Sequence, residues 1–348
     1  MKDLDKYHPG CSGDNPTAKL ARAEVLVTGA TGFIGSLLVR RLASMGCRIK
    51  LLVENQCNSD LAEYDVHQGG LFSNDALARA SKSSEIVYHL AAFTDPDAKS
   101  SEAVERCFAI NVEGTKNLLS SLGPSTKQVV FFSTVYVFGN RNEDVTDESS
   151  PADPSTPYGH SKLEAEYLIR EWGLSHGVMT TCLRLPLVYG PGNKGNILRM
   201  IEAIERRRFL VVGKGENKRS MVYVENVIDA AIAVAYQEEA DGETFIVTDS
   251  TDYSVLELYQ TISKYLGIKP LPLRIPMVIA RPVGRVLDLA GSVAGIKLPI
   301  DSHVLKRLTA SQVFSSKKIE AVLGFRPRYD LREGMAETVQ WYKGSKWQ

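Results

Sequence analysis

The chain has 348 residues, 44% hydrophobic and 24% charged, which excludes a disordered or fibrous protein and fits one large domain or a domain with an added lobe. Lysine plus arginine and aspartate plus glutamate both number 41, so no net charge attracts a nucleic acid or an anionic membrane. The five cysteines lack metal-ligand spacing, so we predict no metal site, and their odd number is consistent with a reducing cytoplasm.

Residues 1–22 are polar and contain glycine and proline, which predicts a flexible segment ahead of the folded part. The segment has no apolar core, so we predict neither a signal peptide nor a membrane anchor there. The most apolar later stretch, 275–296, is interrupted by two arginines, a proline and an aspartate, which argues against a spanning helix. We therefore expect a cytoplasmic protein with no membrane partner and no nucleic-acid partner.

From residue 24, apolar strands alternate with helical patterns. The predicted strands are Glu24–Thr28, Arg48–Val53, Tyr64–His67, Glu85–Leu90, Gln128–Phe132 and Val178–Leu183; the predicted helices among them are Phe33–Ser44, Asp75–Ser81, Ala103–Leu122 and Tyr158–Trp172. Strands that are apolar throughout and separated by helices indicate a parallel sheet covered on both faces. We predict an α/β fold with a doubly wound (Rossmann) parallel sheet, whose ligands bind beyond the carboxyl ends of the strands.

After Gly190 the alternation is less regular. Helices are predicted at Asn196–Arg207, Val224–Tyr236 and Val255–Leu266, and strands at Phe209–Val212 and Thr244–Val247, before a mostly helical tail. We expect some of these segments to complete the sheet and the others to form a smaller, mainly helical C-terminal lobe.

Three glycines, Gly29, Gly32 and Gly35, lie between the first strand and the first helix. The first permits a tight turn, the second lets backbone N–H groups approach a pyrophosphate, and the third lets the helix pack closely on the strand. The helix N-terminus adds about half a positive charge near the phosphates. This context predicts a dinucleotide-binding loop; the alternative is a tight turn without a ligand.

Glu54 ends the second strand, about 25 residues after Gly29, close to the spacing expected for an acidic ribose contact. A carboxylate there accepts hydrogen bonds from both ribose hydroxyls and repels a 2′-phosphate, which favours NAD over NADP. Arg48 and Lys50 share the parity of Glu54 along the strand, so a basic contact to a 2′-phosphate stays open. A solvated carboxylate at a strand end is the alternative.

Tyr158 and Lys162 are four residues apart in a predicted helix and therefore lie on one face. A tyrosine with its usual pKa near 10 is a poor base at neutral pH, whereas a neighbouring ammonium stabilises the phenolate. Lowering that pKa to about 7 requires roughly 4 kcal/mol. A Tyr-x-x-x-Lys sequence also occurs by chance, so its place in the fold decides its meaning.

Ser133 and Thr134 follow the apolar run Gln128–Phe132, and the next predicted helix carries Tyr158. A hydroxyl at the carboxyl end of that strand can point into the crevice that holds the cofactor. Thr134 can then hydrogen-bond the reacting oxygen while Tyr158 moves its proton, and Lys162 can also hold the nicotinamide ribose. The arrangement predicts hydride transfer at a carbinol carbon.

Short motifs stand in a characteristic order along the chain: Thr28–Gly35, His89–Ala92, Asn111–Thr115, Ser133-Thr134, Tyr158–Lys162, Arg184–Pro191, Leu323–Pro327 and Trp341-Tyr342. In this order they resemble the extended short-chain dehydrogenase/reductase family of the NAD-dependent epimerase/dehydratase type, which includes nucleotide-sugar 4-epimerases and 4-ketoreductases. The resemblance implies a homodimer formed through the predicted helices Ala103–Leu122 and Tyr158–Trp172.

The resemblance also implies roles for individual residues. Thr134 takes the catalytic Ser/Thr place beside Tyr158 and Lys162, Ser133 contacts the substrate, and Asn111 buttresses a helix. The implied cofactor contacts are Gly29, Thr31, Gly32, Phe33, Ile34, Gly35, Glu54, Leu71, Leu90, Ala91, Ala92, Tyr158 and Lys162.

The chain departs from the family pattern at several positions. The family usually has Gly-Asp-Leu after its third strand, but this chain has Gly69-Gly70-Leu71, so the aspartate contact to adenine is absent or comes from elsewhere. Phe138 stands where the family often has tyrosine. Members that dehydrate nucleotide sugars place a glutamate just after the catalytic threonine, whereas Val135-Tyr136 stands here, which argues against 4,6-dehydration and decarboxylation.

The expected substrate class depends on Arg219. The segment 218–224 resembles the part of nucleotide-sugar epimerases in which an arginine before a strand holds the substrate diphosphate, and a guanidinium fork matches phosphate oxygens. The loop 190–196, which ends at Asn196, resembles the loop that places polar groups near the sugar nucleotide. A surface arginine beside Lys218 is the alternative, and Tyr223 replaces a common histidine.

We predict an NAD-dependent oxidoreductase or epimerase that acts on a nucleoside-diphosphate sugar, with Tyr158 as acid and base. After the segment 1–22, residues 23–190 form the NAD-binding domain, completed by parts of 220–250, and 191–348 mainly form the substrate lobe. The alternatives are an NAD(P)-dependent dehydrogenase or ketoreductase of a sugar nucleotide, hydroxysteroid or other alcohol with net redox, and a non-catalytic NAD(H)-sensing protein.

Overall fold

The computed structural model describes residues 16–55, 61–96, 98–139, 145–271, 274–280, 282 and 309–346. The strands are β1 (Glu24–Thr28), β2 (Arg48–Val53), β3 (Asp65–Gln68), β4 (Ile86–His89), β5 (Gln128–Thr134), β6 (Met179–Leu185), β7 (Leu187–Tyr189), β8 (Val211–Val212), β9 (Lys218–Arg219), β10 (Met221–Tyr223), β11 (Glu243–Ile246), β12 (Tyr253–Ser254) and β13 (Arg274–Ile275). The predicted strand Phe209–Val212 is therefore reduced to its last two residues.

The main α-helices are α1 (Pro16–Leu20), α2 (Phe33–Ser44), α3 (Asn74–Ser81), α4 (Ser101–Phe108), α5 (Gly114–Ser121), α6 (Pro157–His176), α7 (Asn196–Glu205), α8 (Val224–Ala233), α9 (Val255–Leu266), α10 (Lys317–Leu323) and α11 (Leu331–Ser345). The predicted flexible segment 1–22 needs a correction at its end, because α1 buries Leu20 completely in the core. Residues 1–15 of that segment lie outside the described residues.

Seven strands form one parallel sheet in the order β11-β6-β5-β4-β1-β2-β3. This confirms the predicted doubly wound fold. β1 pairs with β2 on one side and with β4 on the other, so the strand order reverses at β1. In such sheets the crevice for a ligand opens at the carboxyl ends of the two strands that flank the reversal. Thr28 and His89, which are paired in register, mark these ends.

The core lies on both faces of this sheet. Along β1, Val25 and Val27 pack into one apolar cluster and Leu26 into another, because alternate side chains of a strand point to opposite faces. Helices α2 and α8 cover the first face, and α3, α5 and α6 cover the second. The crossover helices thus bring their N-terminal ends to the edge where the strands end.

The predicted helix Ala103–Leu122 consists of three parts. Helix α4 runs into a π turn, Ala109–Glu113, which continues into α5. A π turn accommodates one extra residue in the ladder of backbone hydrogen bonds, and such turns occur frequently at functional sites. Asn111 lies in this turn and is buried.

The C-terminal half completes the sheet and builds the smaller lobe. β11 pairs with β6 as the seventh strand, while the other short strands form three separate pairs, β7–β10, β9–β12 and β8–β13. Helix α11 packs on α9, which gives the lobe its helical character. The division into domains at residues 23, 190 and 220–250 stays a prediction.

The described ranges contain neither a membrane-spanning helix nor a group of side chains suited to a metal ion. Within them, no helix combines the length and the hydropathy needed to cross a bilayer, and most of the stretch 275–296 lies outside them. In the same part of the chain, no three His, Cys, Asp or Glu side chains are grouped so that they could hold a metal ion.

Candidate active site

The glycine loop joins β1 to α2 by a turn that only glycine fits. Gly29 has φ +74°, and a Cβ there would lie 2.7 Å from the backbone nitrogen of Ala91. A Cβ on Gly35 would lie 2.2 Å from the carbonyl oxygen of Gly29. Gly32 caps α2 without a side-chain hydrogen bond. The start of α2 therefore lies directly against the end of β1, and its N-cap Gly32 provides no side-chain hydrogen bond to its first backbone N–H groups.

A buried hydrogen-bond chain holds the neighbouring segment Leu90–Ala92 beside this loop. The Thr28 Oγ1 atom accepts a hydrogen bond from the Ala91 N–H at 3.1 Å and lies 2.7 Å from Nδ1 of His89. The other ring nitrogen of His89 lies 2.9 Å from the hydroxyl of Thr115. Burial and then the positive charge of Lys162 lower the pKa of His89 to about 3. His89 is therefore a neutral structural residue that fixes the backbone next to Gly29.

Glu54 is exposed just beyond the end of β2, the position predicted for the ribose contact. Gly70, with φ +65°, lies against it, and a Cβ on Gly70 would approach the Cα of Glu54 to 3.4 Å. Leu71 is buried, and its carbonyl accepts a hydrogen bond from Asn117 at 3.1 Å. Glu54 is thus exposed, whereas the Leu71 side chain belongs to the core.

The predicted catalytic residues meet at the start of α6. The Thr156 side chain caps this helix by accepting a hydrogen bond from the Gly159 N–H at 3.1 Å. Tyr158 in its first turn is 7% exposed and Lys162 in the next is 2% exposed. The side chains of Thr94 and Thr134 lie near the Tyr158 hydroxyl and lower its pKa. The structure therefore brings Thr134 to Tyr158, and it adds Thr94, which the sequence analysis did not identify.

Burial changes the acidity of both ionisable groups. Burial raises the pKa of Tyr158 to about 12, although the side chains of Thr94 and Thr134 lower it. Burial also lowers the pKa of Lys162 to about 7, although the charge of Glu166 raises it. The expected tyrosine pKa near 7 is therefore wrong for the protein by itself, because desolvation disfavours the phenolate. Tyr158 carries its proton at neutral pH, the state of a general acid.

Lys162 stacks on the sheet beneath the crevice. Its Nζ atom lies 3.9 Å from the centre of the Phe131 ring on β5, a cation–π distance. The Phe131 ring also contacts His89, and the two ring centres are 5.4 Å apart. Lys162 is thus located between α6 and the ends of β4 and β5, next to the predicted cofactor crevice.

Asn111 ties the π turn to both sides of the site. Its Oδ1 accepts from the Phe93 N–H at 2.8 Å, and its Nδ2 donates to the Phe93 carbonyl at 3.1 Å and to the Ser161 hydroxyl at 2.9 Å. Ser161 in turn donates to the carbonyl of Tyr158 at 2.9 Å. As the resemblance implies, Asn111 supports a helix, here the first turn of α6, and it also positions the segment that carries Thr94.

The Ser133 side chain contacts a carboxylate on α6. Its hydroxyl donates a short hydrogen bond to Glu166, which also forms an ion pair with Arg184 in β6. All three residues are less than a tenth exposed. The predicted substrate contact of Ser133 stays a prediction, and the structure gives its side chain a partner below the crevice. Glu166 follows Lys162 by four residues, so helical spacing alone could have identified it.

Tyr136 is a further residue of the crevice. It lies in a short 3₁₀ turn after β5, and its ring is edge-on to that of Tyr158 with 5.9 Å between ring centres. Its side chain is 42% exposed. A Cβ on Gly159 would lie 2.6 Å from the Tyr136 carbonyl, so α6 packs tightly on this turn. Tyr136 therefore forms an exposed aromatic wall next to Tyr158.

The predicted substrate residues belong to the lobe. Arg219 is half-buried in β9, and its Nη1 donates to the Gln312 side chain at 3.2 Å. Asn196 is exposed at the first turn of α7. Gly192 of the loop 190–196 approaches Phe33 at the start of α2: a Cβ on it would lie 3.7 Å from the Phe33 ring. The loop 190–195 thus links the lobe to the start of α2.

These features fit NAD. Backbone N–H groups at the uncapped start of α2 suit a pyrophosphate, and the absence of a side chain on Gly32 allows close approach. Exposed Glu54 suits the adenosine ribose, and the buried pair Tyr158 and Lys162 stands at the end of the crevice where a nicotinamide ring would react.

The chain is similar to known proteins over most of its length. The family model described as "NAD dependent epimerase/dehydratase family" matches residues 25–248. N-acetyl-alpha-D-glucosaminyl-diphospho-ditrans,octacis-undecaprenol 4-epimerase of Escherichia coli O157:H7 is 28% identical over 320 residues, which cover 91% of this chain and 94% of that protein. UDP-glucose 4-epimerase of Vibrio cholerae is 26% identical over 340 residues, covering 95% and 97%. Among solved structures, MoeE5 in complex with UDP-glucose and NAD is 26% identical with a TM-score of 0.70, covering 93% of this chain and 99% of that one.

Proposed function

Because the chain belongs to the NAD-dependent epimerase/dehydratase family and uses NAD, we propose that it is an epimerase, or a closely related oxidoreductase, of a nucleoside-diphosphate sugar. The observation that carries the proposal is that buried Tyr158 lies beside Thr134 at the carboxyl end of the sheet, where the Thr134 side chain lowers its pKa. The predicted homodimer and cytoplasmic location stay predictions.

The proposed reaction moves a proton and a hydride at one carbinol carbon. As the phenolate, Tyr158 takes the proton from the sugar hydroxyl and then returns it to the ketone oxygen. Thr134 hydrogen-bonds the same oxygen and stabilises its developing charge. Lys162 supplies a positive charge that favours the phenolate. NAD, when bound, supplies the hydride acceptor.

Epimerisation is preferred over dehydration because of the residues after Thr134. Val135 is buried and Tyr136 stands beside Tyr158, so this turn offers no carboxylate to remove a proton next to a ketone. The names of the relatives support a sugar diphosphate: one relative is a 4-epimerase of a polyprenyl-diphospho sugar and another is UDP-glucose 4-epimerase.

A ligand panel tests this proposal. At concentrations about 100-fold above Kd, UDP- or dTDP-sugars stabilise the NAD-loaded protein by about 2.7 kcal/mol, which raises the unfolding temperature by several degrees. Sterols have no such effect if the proposal holds. Stabilisation and oxidation of a hydroxysteroid, without any effect of sugar nucleotides, would favour the dehydrogenase alternative. Stabilisation by NAD with no turnover of any alcohol would favour the sensor.

A substitution of Arg219 tests separately whether the protein recognises the diphosphate of the substrate. Replacing Arg219 by alanine removes a guanidinium whose hydrogen bonds to a charged group are worth about 1.5–3 kcal/mol, so we expect KM for the sugar nucleotide to rise roughly 10- to 100-fold. The turnover number changes less, because Arg219 binds the part of the substrate that does not react. Lys218→Ala, at the exposed neighbouring position, is the matched control. Equal KM values for the two variants would show that Arg219 does not bind the diphosphate.

A further inference from the structure

Tyr136 is the exposed residue of an otherwise buried turn. In the 3₁₀ turn Val135–Phe138 the other three side chains are at most 8% exposed, whereas Tyr136 is 42% exposed. A single exposed apolar side chain is ordinary on a protein surface, so the place of Tyr136 decides its meaning.

Three contacts hold the backbone of Tyr136 in place. Its N–H donates to Oγ1 of Thr134 at 3.3 Å, and its carbonyl accepts from the Gly139 N–H at 3.2 Å. A Cβ on Gly159 would lie 2.6 Å from the same carbonyl oxygen, so α6 packs on the turn without a gap. The ring therefore projects from a fixed backbone, and a ligand that contacts it meets a surface prepared in advance.

The ring of Tyr136 lies beside the phenol of Tyr158. The two ring centres are 5.9 Å apart and the ring planes are inclined by 70°, the T-shaped arrangement that aromatic pairs favour. In this arrangement Tyr158 covers at most one face of the Tyr136 ring. Tyr158 itself is only 7% exposed, so Tyr136 presents the larger surface to a molecule that approaches the Tyr158 hydroxyl.

The proposed reaction brings a sugar ring to this surface. The reacting oxygen would lie at the hydroxyls of Tyr158 and Thr134, and Tyr136 follows Thr134 by two residues. The carbons next to the reacting carbon are then within reach of the Tyr136 ring. The C–H groups on one face of a pyranose form a small apolar surface, which binds an aromatic face by burial and dispersion. The hydroxyls of the sugar stay available for hydrogen bonds elsewhere.

We infer that Tyr136 is a substrate-contact residue: its ring is the platform on which the sugar of the sugar nucleotide stacks while Tyr158 and Thr134 act on its carbinol oxygen. The inference rests on the proposed function, because it takes a nucleoside-diphosphate sugar as the substrate. The protein then recognises the sugar through an apolar face as well as through its hydroxyls, and the aromatic ring of Tyr136 is the group that matters.

Three substitutions separate the ring of Tyr136 from its hydroxyl and from its bulk. Tyr136→Phe keeps the ring, Tyr136→Leu keeps an apolar side chain without an aromatic face, and Tyr136→Ala removes both. Leu174→Ala, which removes a 79% exposed side chain near the far end of α6, is the control. Thermal unfolding verifies that each variant is folded, and Tyr136→Leu keeps the test available if the alanine variant is unstable.

Calorimetry on the NAD-loaded protein compares UDP-glucose with UDP, which lacks the sugar (dTDP-glucose and dTDP replace them if the wild type binds these more tightly). We expect the Kd for UDP-glucose to rise about 10-fold in Tyr136→Ala, which corresponds to about 1.4 kcal/mol, and nearly as much in Tyr136→Leu. Tyr136→Phe and the control stay close to the wild type. The Kd values for UDP and for NAD change little in every variant, because neither molecule contains the reacting sugar.

Unchanged binding of UDP-glucose by Tyr136→Ala would overturn the inference and leave the proposed function intact. Full affinity in Tyr136→Leu would also overturn it, because apolar bulk alone would then be sufficient. An equal loss of affinity for UDP and for UDP-glucose would place the effect outside the sugar, with the same consequence. If the wild type bound neither sugar nucleotide, the proposed function itself would fail and this inference with it, so the wild-type measurement distinguishes the two failures.

Discussion

Replacing Tyr158 by phenylalanine lowers turnover by about 10²- to 10⁴-fold, the usual contribution of a positioned general acid or base. The substitution removes the hydroxyl near Thr94 and Thr134, while the ring keeps its contacts in the cluster with Ala98 and Cys107. NAD affinity, measured by calorimetry, is expected to stay within a few-fold of the wild-type value.

The control for this variant lies on the same helix. Tyr167 is 56% exposed, so Tyr167→Phe should change neither turnover nor unfolding temperature. Turnover of the Tyr158→Phe enzyme at the wild-type rate, with sugar nucleotide and NAD bound, would contradict the assignment of Tyr158 as acid and base. If NAD affinity and turnover were both lost, the phenol would instead be needed to bind the cofactor, and its role as acid and base would not be supported.

Replacing Gly29 by alanine is expected to raise the Kd for NAD about 100-fold, which corresponds to about 2.7 kcal/mol. The added Cβ would meet the Ala91 backbone nitrogen at 2.7 Å, and this nitrogen is held by the Thr28 hydroxyl, which His89 in turn contacts. Relief of the overlap moves the glycine loop or the segment Leu90–Ala92, and both line the predicted cofactor crevice.

Gly267 provides a matched comparison. It has φ +76°, nearly the value at Gly29, but nothing lies within 4 Å of a Cβ built there. Gly267→Ala therefore measures backbone strain alone, about 1–2 kcal/mol of stability, with no change in NAD affinity. Calorimetry for binding and urea unfolding for stability distinguish the two variants. Similar Kd values for NAD in both would show that the close approach to Ala91 is unimportant for the cofactor.

The acidity of the catalytic pair is the clearest difference between expectation and structure. Four-residue spacing on a helix predicts that Tyr158 and Lys162 lie on one face, and both lie in the crevice region. The spacing says nothing about how dry their surroundings are. Burial holds the pKa of Tyr158 at about 12 and that of Lys162 at about 7, so the folded protein opposes both charges that the reaction uses. Neighbouring groups such as Thr134 and Glu166 must offset that opposition.

Other parts of the site were missed for a related reason. Thr94 lies in an irregular segment after β4 and has no motif, so nothing in its local sequence indicates a contact with Tyr158. The sequence places Arg184 in a family motif but does not indicate its ion pair, because its partner Glu166 lies 18 residues earlier on a different element. Contacts of this kind depend on how two elements pack, which a local pattern does not specify.

The sequence by itself determined the features that depend on short-range rules. Apolar alternation with helical periods predicted the doubly wound sheet, glycine spacing predicted the loop around Gly29, and helical spacing placed Tyr158 with Lys162. Only the tertiary structure decided the π turn at Asn111, the Ser133–Glu166–Arg184 cluster and the direction of every pKa shift. Those features arise from burial and from hydrogen bonds between distant segments, and both are properties of the packed chain.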